Sequence, residues 1–567
     1  MPSVAESSPT AVSEAPRSGS GSRQGWSTYN SRVPRFPQPL PSTAPNRLAD
    51  FRLPLWGSLI VMIGAGALLA FSFPGDDIWG LSFPGIGLAL VALMGRSAWG
   101  AFLVGLIGGL TFYLVLVEWV SRYLGAVPWF ALAGLEAVYF ALGAVAVTLA
   151  YRWLPRVWPG AVGRLVLLPT VIGALWVARE YAAGHWPYGG FSWGRVAESQ
   201  SQSPLAPLVA WFGISGLSFL MVAVVALVIE LGRFHPMLRS TRFFIGAITI
   251  VATLAIPAWP SHPDGTSTIA AAQGDSKAGF FDKRTYGDLT NDQVMATYNG
   301  VPTTKKIDML VWPEGASDRD PTRDPFGRYI FDTLSTAYDA PLVSGVITQK
   351  DGKDYNSSIV WQHGKVEAQY DKKHLVPFGE YVPNRDIYDK IAPSLVGLLT
   401  QDETPGTRSN VVPVGKVLAG ISICFDIVDD SLTREMVQGG AKVILAQTNN
   451  ADFAGTDENT QQLAIARLRA IETSRPLVNI STVGASAVIS AQGRTLESLQ
   501  PYTQSAMVTT VTLGSGLTPA IATGAALEGF LALFGIAAVI LARILLRGTP
   551  YDAVAKAKKK RRSSSDA

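Results

Sequence analysis

The sequence predicts a multi-pass α-helical membrane domain of about eight spans, with one α/β domain inserted before the last span. Two observations lead to this fold class. Of the 567 residues, 48% are hydrophobic and only 16% are charged, whereas a soluble protein usually carries about 25% charged residues. In addition, apolar runs fill the first half of the chain, and residues 259–518 are polar and rich in strand-like runs. The composition argues against both a disordered chain and a purely soluble enzyme.

Eight apolar runs approach the roughly 20 residues that a bilayer requires. Seven are predicted within residues 53–258, and the eighth lies within residues 519–547. The eight runs are 55–72, 83–94, 98–120, 127–151, 165–179, 205–231, 243–257 and 521–546. The second run is short, and we count it as a span because the charge distribution then agrees at both ends of the chain.

Basic residues near the ends of the runs predict the orientation. With eight spans they fall on one side of the membrane, and by the positive-inside rule that side is cytoplasmic. The residues are Arg152, Arg156, Arg164, Arg233, Arg239 and Arg242, together with the basic tail 548–567. We therefore expect two cytoplasmic tails, a disordered Ser- and Pro-rich one at 1–52 and the basic one at 548–567. The insert 259–518 is expected to be extracytoplasmic.

Strand-like and helix-like runs alternate in the insert, as is typical of a layered α/β domain. Three reactive side chains stand at the ends of predicted strands, namely Glu314, Lys372 and Cys424. Strand ends are where open α/β sheets gather reacting groups. A thiol needs a base or a cation to react, and a lysine can hold the charge of an oxyanion. The spacing alone leaves open a packed cysteine, a solvated turn glutamate and a surface lysine.

The single cysteine and the charge balance exclude several classes of protein. An intrachain disulfide is impossible with Cys424 alone, and so is a structural zinc site built on thiolates. We expect neither a metal nor a cofactor. The net charge is only +4 with its basic excess at the termini, which does not suggest a nucleic-acid partner.

Glu314, Lys372 and Cys424 together resemble the Glu, Lys and Cys signature of the nitrilase superfamily. A more specific similarity is carried by residues 372–383, which read KKHLVPFGEYVP, and by residues 186–193, which read WPYGGFSW. These runs are similar to those of the apolipoprotein N-acyltransferase family. The resemblance covers about residues 53–546. It implies a nitrilase-like αββα sandwich as the insert and a location in the bacterial cytoplasmic membrane.

The resemblance also implies a role for each residue that matches the family pattern. Cys424 would be the nucleophile, Glu314 the general base and Lys372 the group that stabilises the oxyanion. Glu380 would support these three as a second carboxylate. Phe425 and Asp426 would be supporting residues too, although the family usually has Tyr and Glu at those positions.

The reaction implied is a ping-pong acyl transfer with two lipid substrates. Cys424 would take an acyl chain from a phospholipid as a thioester. The chain would then pass to the N-terminal amine of a diacylated lipoprotein. Two alternatives remain open from the sequence: a membrane-bound amidase or nitrilase that uses water, and a scaffold partner of a polyprenol-phosphate mannose synthase.

Two segments are candidates for lipid access. One is the loop with Trp186, Tyr188, Phe191 and Trp193, whose composition is also typical of an ordinary interfacial belt. The other is the apolar stretch 387–399, which is either a lid that enters lipid or a buried loop-helix. Its candidate residues are Ile391, Leu395 and Leu398.

Four carboxylates lie within or near the spans, namely Glu118, Glu136, Glu180 and Glu528. Ionisable residues inside a membrane are functional candidates, but hydrogen bonds between packed helices are the favoured account here. Glu180 is expected to pair with Arg179 or Arg195.

Overall fold

A computed structural model describes residues 52–399 and 401–549. Each predicted apolar run coincides with a helix. The helices before the insert are α1 (Leu55–Ala70), α2 (Ser82–Leu93), α3 (Ala98–Leu116), α4 (Val120–Leu124), α5 (Ala126–Val157), α6 (Leu168–Ala183), α7 (Val209–Arg233) and α8 (Arg239–Leu254). The predictions for tail residues 1–51 and 550–567 lie outside the described residues.

Five helical stretches are long and apolar enough to cross a membrane. They are Ala98–Leu116, Ala126–Val157, Val162–Ala183, Ala206–Arg233 and Pro519–Leu545. Two more, Leu55–Ala70 and Trp79–Leu93, are apolar but shorter. Helix α8 has 16 residues, and none of them is buried. The described helices thus confirm a multi-pass membrane domain, and the count of eight spans stays a prediction.

Glycines let the membrane helices approach closely. A Cβ on Gly66 of α1 would lie 2.6 Å from the carbonyl oxygen of Gly108 on α3. On the next residue of α3, a Cβ on Gly109 would lie 2.7 Å from the Cα of Ala137 on α5. Such contacts between small residues hold helices together in lipid, where the hydrophobic effect gives little driving force.

The described part of the insert contains twelve strands in two six-stranded sheets. The strands are β1 (Pro263–Gln273), β2 (Met309–Val311), β3 (Leu342–Lys350), β4 (Lys353–Gln362), β5 (Lys365–Asp371), β6 (Val411–Val414), β7 (Val417–Ile423), β8 (Val443–Thr448), β9 (Leu477–Ser481), β10 (Ala487–Ile489), β11 (Thr495–Ser498) and β12 (Ser505–Gly514). One sheet has the order β12-β1-β2-β3-β4-β5, and the other has β11-β10-β9-β8-β7-β6. The central strands β1, β2 and β3 are parallel, as are β7, β8 and β9. The predicted hairpin at His363-Gly364 joins β4 to β5.

Helices cover the outer face of each sheet. The remaining helices are α9 (Asp288–Gly300), α10 (Pro325–Tyr338), α11 (Arg385–Ile391), α12 (Pro393–Val396), α13 (Asp430–Gln438), α14 (Glu458–Thr473) and α15 (Pro519–Leu545). Along β1, Ile269 and Ala271 face the core between the sheets, whereas Ala270 and Ala272 face α9 and α10. This alternation follows from the two-residue period of a strand. The layers α9/α10, sheet, sheet, α13/α14 confirm the αββα sandwich.

The outer layer of the second sheet shares a hydrophobic core with the membrane helices. Phe425 and Ile427, which follow β7, and Ile465 and Leu468 on α14 belong to the same cluster as apolar residues of α1, α3, α5 and α7. Buried ion pairs reinforce this contact, because Arg195 before α7 lies 2.9 Å from Asp430, which also pairs with Arg469 of α14. The second sheet and its strand ends are therefore held against the membrane domain.

Candidate active site

Glu314, Lys372 and Cys424 come together at the ends of strands from both sheets. Glu314 follows β2, Lys372 follows β5, and Cys424 follows β7. The turn that carries Glu314 fits closely against β3. A Cβ on Gly345 would lie 2.5 Å from the backbone nitrogen of Gly315, so a side chain there would push Glu314 out of place.

A buried cluster of two carboxylates surrounds one ammonium group. Lys372 Nζ lies 2.5 Å from Oε1 of Glu380 and 3.4 Å from Oε1 of Glu314. The Nδ2 group of Asn356 also donates to Oε1 of Glu314, at 2.8 Å. The other oxygen of Glu314 accepts the backbone N–H of Asn449 at 2.8 Å. The cluster thus holds the Glu314 carboxylate with three donors.

These contacts fix the charges in the cluster. Burial alone opposes the charge on Lys372, but the carboxylates of Glu314 and Glu380 outweigh it and raise the pKa of Lys372 well above its usual value. Burial raises the pKa of Glu314, and the Lys372 charge partly offsets that rise. Lys372 therefore stays charged, and Glu314 is a carboxylate with enhanced basicity.

Cys424 lies at a sharp turn between strand and helix. Its φ is +47°, in the left-handed region that non-glycine residues rarely occupy. The carboxylate of Asp426 supports the turn, since it accepts the backbone N–H groups of Ile423 and His374 and the hydroxyl of Tyr370. Such backbone strain persists only where the surrounding contacts hold it. Burial raises the pKa of Asp426 to about 6.

The Cys424 sulfur rests as a thiol. Burial raises the pKa of Cys424 well above its usual value, and the Glu314 carboxylate adds to the rise, while Lys372 opposes it. A nucleophile in this state needs a base at the moment of attack. Glu314 is a buried carboxylate of enhanced basicity whose charge acts on this sulfur.

The aromatic loop lies beside Cys424. Phe191 stacks on Phe425 with ring centroids 6.0 Å apart. Trp193 is buried and donates its indole N–H to Oε1 of Gln461 at 2.8 Å. The hydroxyl of Tyr188 accepts a 3.0 Å hydrogen bond from Asn384. Three of the four predicted aromatic residues therefore contact the insert.

The fourth aromatic residue and the apolar stretch are more exposed. The Trp186 side chain is 68% exposed, and Ile391 at the end of α11 is 70% exposed. Leu398 is half-buried, and the Leu395 side chain lies outside the described part. Val396 and Leu399, which belong to the same stretch, are buried and pack against Val382. The stretch thus has one face on the insert and an apolar face that includes Ile391 on the outside.

Of the four carboxylates near the spans, three make helix-to-helix or ion-pair contacts. Glu180 pairs with Arg179 at 3.2 Å and not with Arg195. Glu528 on α15 accepts a 2.7 Å hydrogen bond from Ser215 on α7. Glu118 follows the end of α3, and its half-exposed side chain lies 3.9 Å from the guanidinium of Arg122. Within the described part, Glu136 is buried on α5 with no hydrogen-bond partner for its carboxylate.

Sequence reasoning missed several residues that touch the reactive groups. Asn356 and Asn449 contact Glu314, Tyr370 contacts Asp426, and Gln462 contacts the Cys424 sulfur. Asn449 could have been found, because it directly follows the buried strand β8, as Cys424 follows β7. No local sequence pattern pointed to Asn356, Tyr370 or Gln462.

Two protein families match this chain, one in each half. The profile described as Apolipoprotein N-acyltransferase N-terminal domain matches residues 65–227, and the Carbon-nitrogen hydrolase profile matches residues 268–516. An apolipoprotein N-acyltransferase of Mycolicibacterium smegmatis is 31% identical over 85% of this chain and 85% of its own length. One from Geobacter metallireducens is 26% identical over 83% of this chain and 92% of its own. The solved structure of a Nesterenkonia amidase of the nitrilase superfamily covers 44% of this chain and 92% of its own length, at 16% identity and a TM-score of 0.34.

Membrane helices joined to a carbon-nitrogen hydrolase domain define the class of protein as a membrane-embedded member of the nitrilase superfamily. The relatives narrow this class further. The chain belongs to the apolipoprotein N-acyltransferase family, and it is accordingly an acyltransferase of lipoprotein maturation. The comparisons give no support to a polyprenol-phosphate mannose synthase as partner.

Proposed function

We propose that the protein moves an acyl chain from a phospholipid to the N-terminal amine of a diacylglyceryl-cysteine lipoprotein, by way of a thioester on Cys424. The observation that carries this proposal is the convergence of Glu314, Lys372 and Cys424 from the two sheets, with Cys424 on the sheet that packs against the membrane helices. A thiol, a base and a fixed cation are the groups that acyl transfer through a thioester requires.

In the first half-reaction, Glu314 takes the proton of the Cys424 thiol while the sulfur attacks the phospholipid ester carbonyl. A carbon–sulfur bond forms, and the carbonyl oxygen becomes an oxyanion that Lys372 stabilises. The intermediate then expels the alkoxide of the lysophospholipid. Glu314 returns its proton to that oxygen. The half-reaction therefore ends with the acyl thioester on Cys424, a free lysophospholipid, and Glu314 again as a carboxylate.

The second half-reaction reverses the roles with a different nucleophile. The α-amine of the lipoprotein attacks the thioester carbonyl, and Lys372 again faces the oxyanion. Glu314 accepts a proton from the amine as the amide forms. That proton restores the thiol of Cys424 when the carbon–sulfur bond breaks. Glu380 keeps the Lys372 ammonium in place in both steps through their 2.5 Å contact.

Lipid access is proposed from the side of the membrane domain. Phe191 packs against Phe425, next to the nucleophile, and Trp193 is fixed on α14 through Gln461. Ile391, with the neighbouring Leu395 and Leu398, would place apolar surface toward the bilayer. Trp186 and Tyr188 would lie at the interface, where aromatic residues are favoured.

The contacts of the insert also support the proposed topology of eight spans with both termini cytoplasmic. The insert meets the membrane domain at the loop after α1, where Gly75 lies against Asp457, and at Trp119 and Trp193, which share Gln461. These contacts lie near the N-terminal ends of α5 and α7. The arginines of α5 and α7 lie at the C-terminal ends of these helices, on the side away from the insert. The positive-inside rule then places residues 259–518, the catalytic domain, outside the cytoplasm.

The acyl-enzyme is tested by intact mass spectrometry of the purified protein after incubation with phospholipid and no acceptor. We expect a mass gain of one acyl chain that hydroxylamine removes and that Cys424→Ala does not show. A diacylated lipopeptide should then discharge the adduct and gain the chain itself. No adduct on the wild-type protein would refute the thioester route.

The same experiment separates transfer from hydrolysis. An amidase or nitrilase would release free fatty acid or ammonia without any lipopeptide. An acyltransferase should hold its thioester until the amine arrives. Release of one fatty acid per turnover in the absence of acceptor would favour the hydrolase.

The topology is tested by thiol labelling in a Cys424→Ala background. Lys277→Cys in the insert and His235→Cys between α7 and α8 are matched because both positions are exposed. An impermeant maleimide should label the first variant, and not the second, in intact spheroplasts. Labelling of His235→Cys alone would invert the topology.

A further inference from the structure

Two consecutive glutamines near the start of α14 serve different partners. Gln461 accepts the indole N–H groups of Trp193 and Trp119 and so faces the membrane domain. Gln462 faces the other way and donates its Nε2 hydrogen to Sγ of Cys424, with nitrogen and sulfur 3.6 Å apart. Gln462 is 2% exposed, so its buried amide meets the partly buried sulfur from inside the domain.

The orientation of the Gln462 amide is fixed by a buried chain of hydrogen bonds. Its Oε1 accepts from Nδ2 of Asn450 at 2.9 Å. The same Nδ2 group donates to Oε2 of Glu458 at 2.8 Å. The Oδ1 of Asn450 accepts the hydroxyls of Thr448 and Ser481 at 2.8 Å and 2.6 Å.

These hydrogen bonds leave the Gln462 side-chain amide only one orientation. Because its oxygen is bound to the Asn450 N–H group, its NH2 group must point to the sulfur. An amide in this position can donate to a thiolate but cannot take its proton. Its contribution is therefore a hydrogen bond that strengthens as negative charge develops on the sulfur.

We propose that Gln462 is a further catalytic residue, which stabilises the Cys424 thiolate by hydrogen bonding, and that Asn450 and Glu458 are positioning residues that hold its amide. The inference rests on the proposed function, since it names a donor for the nucleophile of that same site. The physical need is clear from the surrounding charges. Besides burial, the carboxylates of Glu314, Glu458 and Glu380 raise the pKa of Cys424, and the ammonium of Lys372 lowers it. A neutral donor offsets their repulsion without adding a charge.

Alkylation of the thiol tests the inference without any lipid substrate. The chain has one cysteine, so the mass gain from iodoacetamide reports on Cys424 alone. A hydrogen bond to a charged group that is lost shifts a pKa by about one unit, so Gln462→Met should slow alkylation about 10-fold at about pH 8. The difference from wild type should shrink once the pH exceeds the thiol pKa in both proteins.

Two further variants control the experiment. Gln438→Leu, at the exposed end of α13, should alkylate at the wild-type rate. Gln462→Glu keeps the shape and the Asn450 contact but places an acceptor against the sulfur, so it should slow alkylation at least as much as Gln462→Met. Asn450→Ala should give a smaller slowing, because the amide is released and not removed.

The outcomes are distinguishable from failure of the proposed function. Rates within about twofold of wild type in Gln462→Met, with wild-type thermal unfolding, would overturn the role of Gln462. If Gln462→Met does not fold, wild-type alkylation of Gln462→Glu would overturn it equally. By contrast, Gln462→Met could alkylate more slowly than wild type while the wild-type protein never forms an acyl adduct. That result would refute the acyl transfer and leave the hydrogen bond in place.

Discussion

The ammonium group of Lys372, buried after β5, donates a 2.5 Å hydrogen bond to Oε1 of Glu380. Glu380 is held in turn by the backbone N–H of Val376, which donates to its Oε2 at 2.8 Å. The second carboxylate thus fixes the direction of the lysine side chain. With Glu314 only 3.4 Å away as well, Lys372 has little freedom to move between the two half-reactions.

Replacement of Lys372 by Met should lower the rate of thioester formation by at least about two orders of magnitude, because the oxyanion loses its cation. The acyl adduct is followed by intact mass against time. The Lys372→Arg variant keeps the charge and should retain more of the rate. Wild-type kinetics in Lys372→Met would remove the lysine from the mechanism.

Lys372→Met should also change how stability depends on pH. Without the ammonium, the Lys372 charge no longer offsets the rise that burial gives to the pKa of Glu314, so the folded-state pKa of Glu314 lies further above the unfolded value. Such a rise destabilises the fold as pH increases. The melting temperature of Lys372→Met should therefore fall further below wild type at about pH 8 than at about pH 5. A constant difference would contradict the charge arrangement.

Glu314→Gln should slow acylation by about two orders of magnitude or more, since the thiol then lacks its base. The loss should appear in both half-reactions. Discharge of preformed acyl-enzyme by a diacylated lipopeptide is therefore measured separately. Discharge at the wild-type rate would limit Glu314 to the first step.

The raised pKa of Asp426 predicts how the free energy of unfolding changes with pH. Burial raises its pKa to about 6, from a usual value of 3.8, so the folded state binds a proton more tightly than the unfolded chain. Its stabilising contribution is present at low pH and is lost as pH rises toward about 6. The free energy of unfolding of wild type minus that of Asp426→Asn should fall between about pH 4 and about pH 6, by up to about 3 kcal/mol. A difference that rises over this range would show a lowered pKa.

Trp193→Phe should destabilise the contact between the membrane domain and α14. The variant removes the N–H that Gln461 accepts at 2.8 Å, and leaves only the longer 3.3 Å bond from Trp119. Because the acceptor keeps one donor, the loss should be that of a single hydrogen bond, about 1 kcal/mol. Trp186→Phe is the matched control, because that side chain is exposed. Equal melting temperatures for the two variants would refute the contact.

Ile391→Ser should impair acylation from phospholipid vesicles and spare acylation from a short-chain soluble ester. The side chain is 70% exposed at the end of α11, and its loss removes apolar area that would enter lipid. Leu496→Ser, at an exposed position on the edge strand β11, is the control. Equal losses with both donors would assign Ile391 to the fold of the site and not to lipid access.

The sequence could predict the fold to the level of layers because hydrophobic patterning is a local property. Apolar runs predicted the helices, and alternation predicted most strands. The strands β6 and β11 do not follow from such patterns, since each is only four residues long and is one arm of a short hairpin with its neighbour. The helix α9 does not follow either, because its sequence is mostly polar. The lengths of α1 and α2 likewise left the number of spans to the charge rule.

By itself the sequence determined the chemical types at the candidate site. Glu314, Lys372 and Cys424 each follow a recognisable strand, and strand ends of a layered domain meet by topology. Only the tertiary structure decided which donors surround them. Asn356 and Asn449 reach Glu314 across 42 and 135 residues of chain, and Gln462 reaches Cys424 across 38. Hydrogen bonds of this kind depend on the packing of two sheets and a helix, and no local pattern in the sequence encodes them.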